Sequence, residues 1–256
     1  MLESVIPSTP RPTPYKFDKS LSMVVCGLNE EELIVDFLEK SIADLKAVCD
    51  DWEIVFLNDG STDCTGELAH AVAAREHRVK VIDAPRNLGT GANVAEAYQH
   101  ASKDIVFNNT VDAFFDTTDL SWILPHLDNF DSISGCRTDL RANNGYQKLL
   151  TTVNRSLISL LFPVKLKAYQ TVQFHPLELF RKITIEGRSS FVSPELLIKA
   201  HALGYRIGEV DVVFHGRTKG TAKGGGLRHV ARSLRDIFKF WMRWVVLGKP
   251  LCQREG

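Results

Sequence analysis

Between residues 21 and 108, four short apolar runs alternate with three amphipathic stretches of helical period, and this alternation narrows the possible folds more than anything else in the chain. Residues 21–26, 52–57, 79–82 and 104–108 read as buried strands. Residues 30–48, with Leu33, Phe37, Ile42 and Leu45 at helical spacing, read as a helix, as do 65–76 and 92–101. Strand–helix–strand units of this kind are right-handed crossovers, which build a mainly parallel sheet flanked by helices. Such sheets take their ligands beyond the carboxyl ends of the strands. The chemistry is therefore expected in loops 27–29, 58–63, 85–91 and 109–116.

The remaining sequence sets the limits of that domain. A chain of 256 residues with 44% hydrophobic and 24% charged side chains can bury a real core and is not a disordered chain. No run approaches the roughly 18–20 uncharged apolar residues of a membrane span, and no secretory signal is expected at the amino terminus. Five cysteines, an odd number without a Cys-x-x-Cys pair, argue against a disulfide framework or a structural zinc and for a reducing compartment. Residues 1–16 hold Pro7, Pro10, Pro12 and Pro14 and read as an unordered leader. Residues 17–216 form the expected catalytic domain, and 217–256 a basic amphipathic segment packed on it or extending from it. The 31 basic and 31 acidic residues are unevenly placed: ten basic and two acidic ones fall after residue 216, leaving 21 and 29 in the body. A basic tail of this kind suits an anionic partner. With the charge confined to one end and no recognition motif, a nucleic-acid partner is not expected.

Three of the loops at strand ends are polar or glycine-rich: Leu28-Asn29-Glu30-Glu31, Asn58-Asp59-Gly60-Ser61-Thr62-Asp63 and Arg86-Asn87-Leu88-Gly89-Thr90-Gly91. Each alone is ordinary turn and capping chemistry. Together, at three consecutive strand ends, they suit a nucleotide, with carboxylates for base and ribose and small residues for close approach.

In the order of these motifs, with Val24-Val25-Cys26-Gly27 before the first, the chain resembles the family 2 glycosyltransferases of GT-A fold, and most closely their dolichol- or polyprenyl-phosphate sugar synthase branch. Further on, 195–200 with 204–210 look like the late helix and strand of that branch, and Arg217, Gly220 and Lys223 like its Arg-x-x-Gly-x-x-Lys segment. The resemblance implies an inverting transfer of a sugar from a nucleotide-diphosphate donor. Asn29, Glu30, Asp59, Arg86, Asn87, Gly89 and Gly91 would bind the nucleotide. Asp112, with Asp116, would hold Mg²⁺ or Mn²⁺. Asp112, Arg217 and Lys223 would carry the catalytic charge stabilisation. The chain departs from the family at Cys26 and Leu28, where Pro and Tyr are usual, and at Asn58, where Asp is usual. In the Asp-x-Asp motif, Asp112 is present but the second Asp is replaced by Phe114; Asp116 either reaches the site or caps the helix after it.

Saccharide-acceptor members carry a Glu-Asp pair before the late helix to deprotonate a hydroxyl. Here 189–195 read Ser-Ser-Phe-Val-Ser-Pro-Glu, which looks like an N-cap at Ser193, a first-turn Pro194 and a dipole-favourable Glu195. A phosphate acceptor is already ionised and needs no such base. Arg137, Arg141 and Arg155, around a helix expected over 146–161, lie where the resembling branch binds acceptor phosphate. Over 227–245, Arg228, Arg232, Arg235, Lys239 and Arg243 share one arc, and Leu227, Val230, Leu234, Phe238, Trp241 and Val245 another. That pattern fits a peripheral membrane contact, or a helix packed by its apolar face. The leading expectation is thus a cytoplasmic glycosyltransferase, peripheral at the cytoplasmic face of a membrane, with a lipid-phosphate acceptor. The alternatives are a saccharide acceptor or a catalytically impaired nucleotide-sugar binder.

Overall fold

The computed structural model describes residues 3–6, 15–112, 115–137, 145–212 and 227–249. Among these residues, eight strands form one sheet in the order β1-β8-β6-β7-β5-β2-β3-β4. They are β1 (Glu3–Ile6), β2 (Leu21–Gly27), β3 (Trp52–Asn58), β4 (Val79–Asp83), β5 (Ile105–Thr110), β6 (Ser132–Arg137), β7 (Gln173–Pro176) and β8 (Ile207–Val212). The helices are α1 (Ile34–Val48), α2 (Thr65–Ala73), α3 (Thr90–Tyr98), α4 (Leu120–Ile123), α5 (Gly145–Leu161), α6 (Leu177–Lys182), α7 (Val192–Ala202) and α8 (Leu227–Trp241). The strands and helices expected over 21–108 are all present, with ends shifted by a few residues. The arrangement is the expected GT-A type of α/β fold.

The four strands of that first half are parallel and in register. Gly27 stands beside Asn58, Asn58 beside Asp83, and Cys26 beside Thr110. The carboxyl ends of β2, β3, β4 and β5 therefore lie in one row. Alternate side chains divide the core between the two faces of the sheet. Leu21, Met23, Val25, Ile54 and Phe56 pack with α1 and α2 on one face. Val24, Val55, Leu57 and Val106 pack with α3, α7 and the inner side of α8 on the other. Strands covered on both faces are apolar at nearly every position, which is why they stand out in the sequence.

β1 and β7 were not expected. Glu3–Ile6 pair in parallel with β8, so this part of the leader is an edge strand and not unordered chain. β7 is antiparallel to both β5 and β6 and joins the two parallel halves of the sheet. Its polar residues are buried. Gln173 Nε2 donates to the Tyr169 carbonyl at 2.9 Å, leaving Gln173 Oε1 to accept from His175 Nε2 at 3.0 Å. His175 Nδ1 then accepts from the Ser132 hydroxyl at 3.1 Å. Between them, Phe174 stacks on Phe107 at 4.9 Å and meets the edge of Phe115 at 6.2 Å.

Burial pushes the His175 imidazole from its ordinary 6.5 down to about 3. The neutral ring is the native form, so its contribution to stability is complete above pH 6.5 and is lost as pH falls toward 3. Chemical unfolding across that range is expected to show a loss of about 1.4 kcal/mol per pH unit from this residue. Between pH 6.5 and the onset of carboxylate titration, His175→Asn is expected to remove most of the slope; an unchanged slope would contradict the assignment.

Candidate functional site

The row of strand ends carries four loops, and their polar side chains bind chiefly to one another. Asn29 has a φ of 53°, a left-handed conformation that asparagine tolerates. Its N–H donates to Ser61 Oγ at 2.9 Å, and its Oδ1 accepts from the Thr62 N–H at 2.8 Å. The Glu30 N–H donates to Thr65 Oγ1 at 2.7 Å, and Glu31 Oε2 accepts from the Cys64 N–H at 3.0 Å. The loops after β2 and β3 are thereby held as one unit. Asn58, where the resembling family has Asp, donates to Asp83 Oδ1 at 2.8 Å and accepts from the Ser61 N–H at 3.2 Å. An aspartate there would set two carboxylates against each other; the amide does not. His70, and then Asn58, hold the Asp83 carboxyl below its ordinary range.

Asp59 ties the next loop in. Only 2% exposed, it accepts from the Leu88 N–H at 2.6 Å and from Asn93 Nδ2 at 3.1 Å. Gly60 beside it has a φ of 73°, and a Cβ there would lie 2.6 Å from the Arg86 carbonyl carbon. Asp59 therefore shapes the 86–89 loop from below, while Arg86 and Asn87 stand exposed on it. Gly89 has a φ of 84° and begins the turn into α3. A Cβ on Gly91, in the first turn of α3, would collide with the backbone of Arg188 and Ser189, so those two segments are in contact. Burial, and then the nearby Asp59, push the Cys26 thiol well above its ordinary range, so it stays protonated near neutral pH.

The loop after β5 is closed by Asn109, which accepts from the Phe115 N–H at 2.8 Å and donates to the Phe115 carbonyl at 3.0 Å. Asp112 lies on this loop, half-buried, in the row of strand ends. Asp116 takes the capping role. Its Oδ1 accepts from the Thr118 N–H at 3.0 Å, from Thr118 Oγ1 at 2.8 Å and from Lys40 Nζ at 2.9 Å. These contacts are those of a helix cap, one of the two roles the sequence left open for Asp116. Among the described residues, no three His, Cys, Asp or Glu side chains converge as a metal cage. The single hard carboxylate of Asp112 fits Mg²⁺ or Mn²⁺ taken up with a diphosphate and waters, and does not fit a zinc cage.

The structure thus brings Asn29, Glu30, Asp59, Arg86, Asn87, Gly89, Gly91 and Asp112 to one edge. Arg137 ends β6 beside Val212, at the same edge of the sheet. Arg155 is exposed on α5. Arg141, Arg217, Lys223 and Phe114 lie outside the described residues.

The segment before α7 differs from its sequence reading. The N-cap position is Phe191, not Ser193, and Glu195 lies inside the helix and inside the protein. Glu195 and Lys199 are both 0% exposed and pair at 2.7 Å. Lys199 Nζ also donates to the Thr184 carbonyl at 2.6 Å and reaches Glu186 at 3.3 Å. The Glu195 oxygens accept from the N–H groups of Glu186 at 2.9 Å and Gly187 at 2.7 Å. Glu186 pairs in turn with Arg243 beyond α8. Burial pushes the Glu195 carboxyl up, against the pull of Lys199. This network was missed because a lysine four residues after a glutamate usually marks a solvated helix face.

Residues 22–182 match the sequence model of the family described as glycosyl transferase family 2. The dodecaprenyl-phosphate galacturonate synthase of Rhizobium johnstonii is 24% identical, over 88% of this chain and 68% of that protein. The undecaprenyl-phosphate 4-deoxy-4-formamido-L-arabinose transferase of Pectobacterium atrosepticum is 23% identical, over 80% of this chain and 62% of that protein. The chain therefore spans only about two thirds of these relatives. Among solved structures, the glucosyl-3-phosphoglycerate synthase of Mycobacterium tuberculosis, crystallised with Mn²⁺, uridine diphosphate and glucosyl-3-phosphoglycerate, superposes with a TM-score of 0.68. It is 21% identical, over 96% of this chain and 89% of that one, a likeness of fold.

The buried pair yields a test of its own. Lys199→Met leaves a carboxylate uncompensated and is expected to cost about 3–5 kcal/mol of stability. Adding Glu195→Gln is expected to recover a large part of that loss in denaturant unfolding. A double variant no more stable than Lys199→Met would show that the two charges do not act as a pair.

Proposed function

The chain belongs to glycosyl transferase family 2, and on that premise we propose that it moves a sugar, with inversion, from a nucleotide-diphosphate donor to the phosphate of a polyprenyl lipid. One observation carries the choice of acceptor. At the amino end of α7, where a hydroxyl acceptor needs a carboxylate base, Glu195 is fully buried and bound to Lys199 and two backbone N–H groups. A lipid phosphate is an anion near neutral pH and attacks without such a base. The relatives named for polyprenyl-phosphate acceptors support the same reading.

The donor lies over the laced loops, where Glu30, Arg86 and Asn87 offer side chains to it. Asn29 and Asp59 act through the loops they hold together. Asp112 is the protein's ligand to Mg²⁺ or Mn²⁺, which when bound neutralises the charge developing on the departing diphosphate. On sequence grounds Arg217 and Lys223 share that charge, and Arg137, Arg141 and Arg155 receive the acceptor phosphate.

The outer side of α8 supports a membrane contact at the cytoplasmic face. The helix packs through Ser233, Asp236, Ile237 and Phe240, all buried. Of the apolar stripe read from the sequence, Leu234 is 42% and Phe238 59% exposed, while Trp241 packs against the core. Arg232, Arg235 and Lys239 are exposed beside it. An apolar stripe flanked by basic residues suits an anionic lipid surface. No described helix is long and apolar enough to cross a membrane.

Asp112→Ala is expected to lower transfer at least ~10²-fold with the fold intact. Asp116→Ala is expected to lose about 1 kcal/mol of stability and keep most activity. Wild-type turnover by a folded Asp112→Ala protein would refute the metal role. In a transfer assay across nucleotide sugars, undecaprenyl phosphate is the expected acceptor; transfer to a free saccharide alone would refute it. Arg232→Glu with Lys239→Glu is expected to weaken binding to anionic vesicles by roughly 1 kcal/mol per residue, and added salt should do the same. Unchanged vesicle binding would remove the membrane claim.

A further inference from the structure

Asp236 is the sole acidic residue between 217 and 254, a stretch that holds ten lysines and arginines. It points inward and is 6% exposed. Its Oδ2 accepts from Ser189 Oγ at 2.7 Å and, more weakly, from the Arg188 N–H at 3.4 Å. Its Oδ1 lies 4.0 Å from Arg235 Nε. The Ser189 hydroxyl also accepts from the Phe191 N–H at 3.3 Å, which closes the turn before α7. On its other side this turn touches Gly91, where no side chain fits between the two backbones. Gly91 lies between Leu88 and Asn93, the two residues that Asp59 holds. A line of direct contacts thus runs from α8 through the 188–189 turn into the 86–91 loop.

A carboxylate buried at this place costs desolvation that an apolar residue in a core beside Ile237 and Phe240 would not. What it supplies in return is a fixed turn. We propose that Asp236 is a positioning residue: it holds the 188–189 turn against Gly91 and so sets the geometry of the 86–91 loop from α8. The proposal goes beyond the proposed function and rests on it only where the loop is taken to bind the donor.

Amide exchange, read by mass spectrometry on the full chain, tests the positioning without any ligand. Asp236→Ala is expected to speed exchange about tenfold at 86–93 and 186–191 while β2 and β3 stay protected. Asp236→Asn keeps an acceptor oxygen and is expected to restore most of the protection. Ser189→Ala is expected to reproduce the Asp236→Ala pattern, with the double variant little different from either, and it carries the test should Asp236→Ala fail to fold. Unchanged exchange at 86–93, or an equal rise across β2 and β3, would overturn the proposal. Calorimetry with UDP and with GDP in MnCl₂ adds the functional arm: about tenfold weaker binding in Asp236→Ala, and in turnover a raised donor KM with kcat little changed. Wild-type protein that binds neither nucleotide would sink the donor reading, while the exchange data would still decide the role of Asp236.

Discussion

The parallel register of β2 with β3 and β5 is the constraint on which the site depends. Because Gly27, Asn58, Asp83 and Thr110 end their strands in one row, four loops separated by up to 80 residues leave the sheet side by side. A slip of one residue would exchange the two faces of a strand and break both halves of the core at once. Burial on both faces therefore specifies the register, and the register in turn brings the loops together.

The loops spend much of their polar chemistry on each other. Asn29, Asn58, Asp59 and Asn109 have the residue types of ligand-binding side chains, yet the first three make hydrogen bonds that fix a neighbouring loop and Asn109 closes its own. That leaves backbone groups and a smaller set of exposed side chains, such as Arg86 and Asn87, open to solvent at this edge. A preorganised site of this kind loses less entropy on binding than one whose loops must be ordered by the ligand. The second half of the chain supports the first in the same manner. The turn before α7 is held from α7 by Glu195 and from α8 by Asp236, and it presses on Gly91 in the first half.

Polarity in the interior is concentrated where irregular backbone is buried. The Glu195–Lys199 pair is expensive to desolvate, and its mutual attraction alone would leave the balance close to even. Its hydrogen bonds to the 184–187 segment satisfy backbone groups that neither a helix nor a sheet would satisfy. His175 and Gln173 do the corresponding work in β7, on the seam between the two parallel halves.

The sequence by itself determined the parallel half of the sheet, because strands buried on both faces and helices buried on one leave periodic marks that need no partner to be read. It also determined the order of the loop motifs and hence the edge where the candidate site lies. Tertiary structure decided the rest. β7 has four residues, and its Gln and His mimic a loop until Tyr169 and Ser132 are seen to satisfy them. Asp116 could have been a ligand or a cap, and Lys40, 76 residues away, helps hold it as a cap. The α8 pattern showed an apolar stripe, but the face that packs is the one bearing Ile237 and Phe240, with Asp236 drawn inward by Ser189, 47 residues earlier. In each case one deciding partner, Ser132, Lys40 or Ser189, is distant in sequence, and a local pattern cannot record whether a polar group's hydrogen bond will be made by water or by a residue brought from elsewhere in the fold.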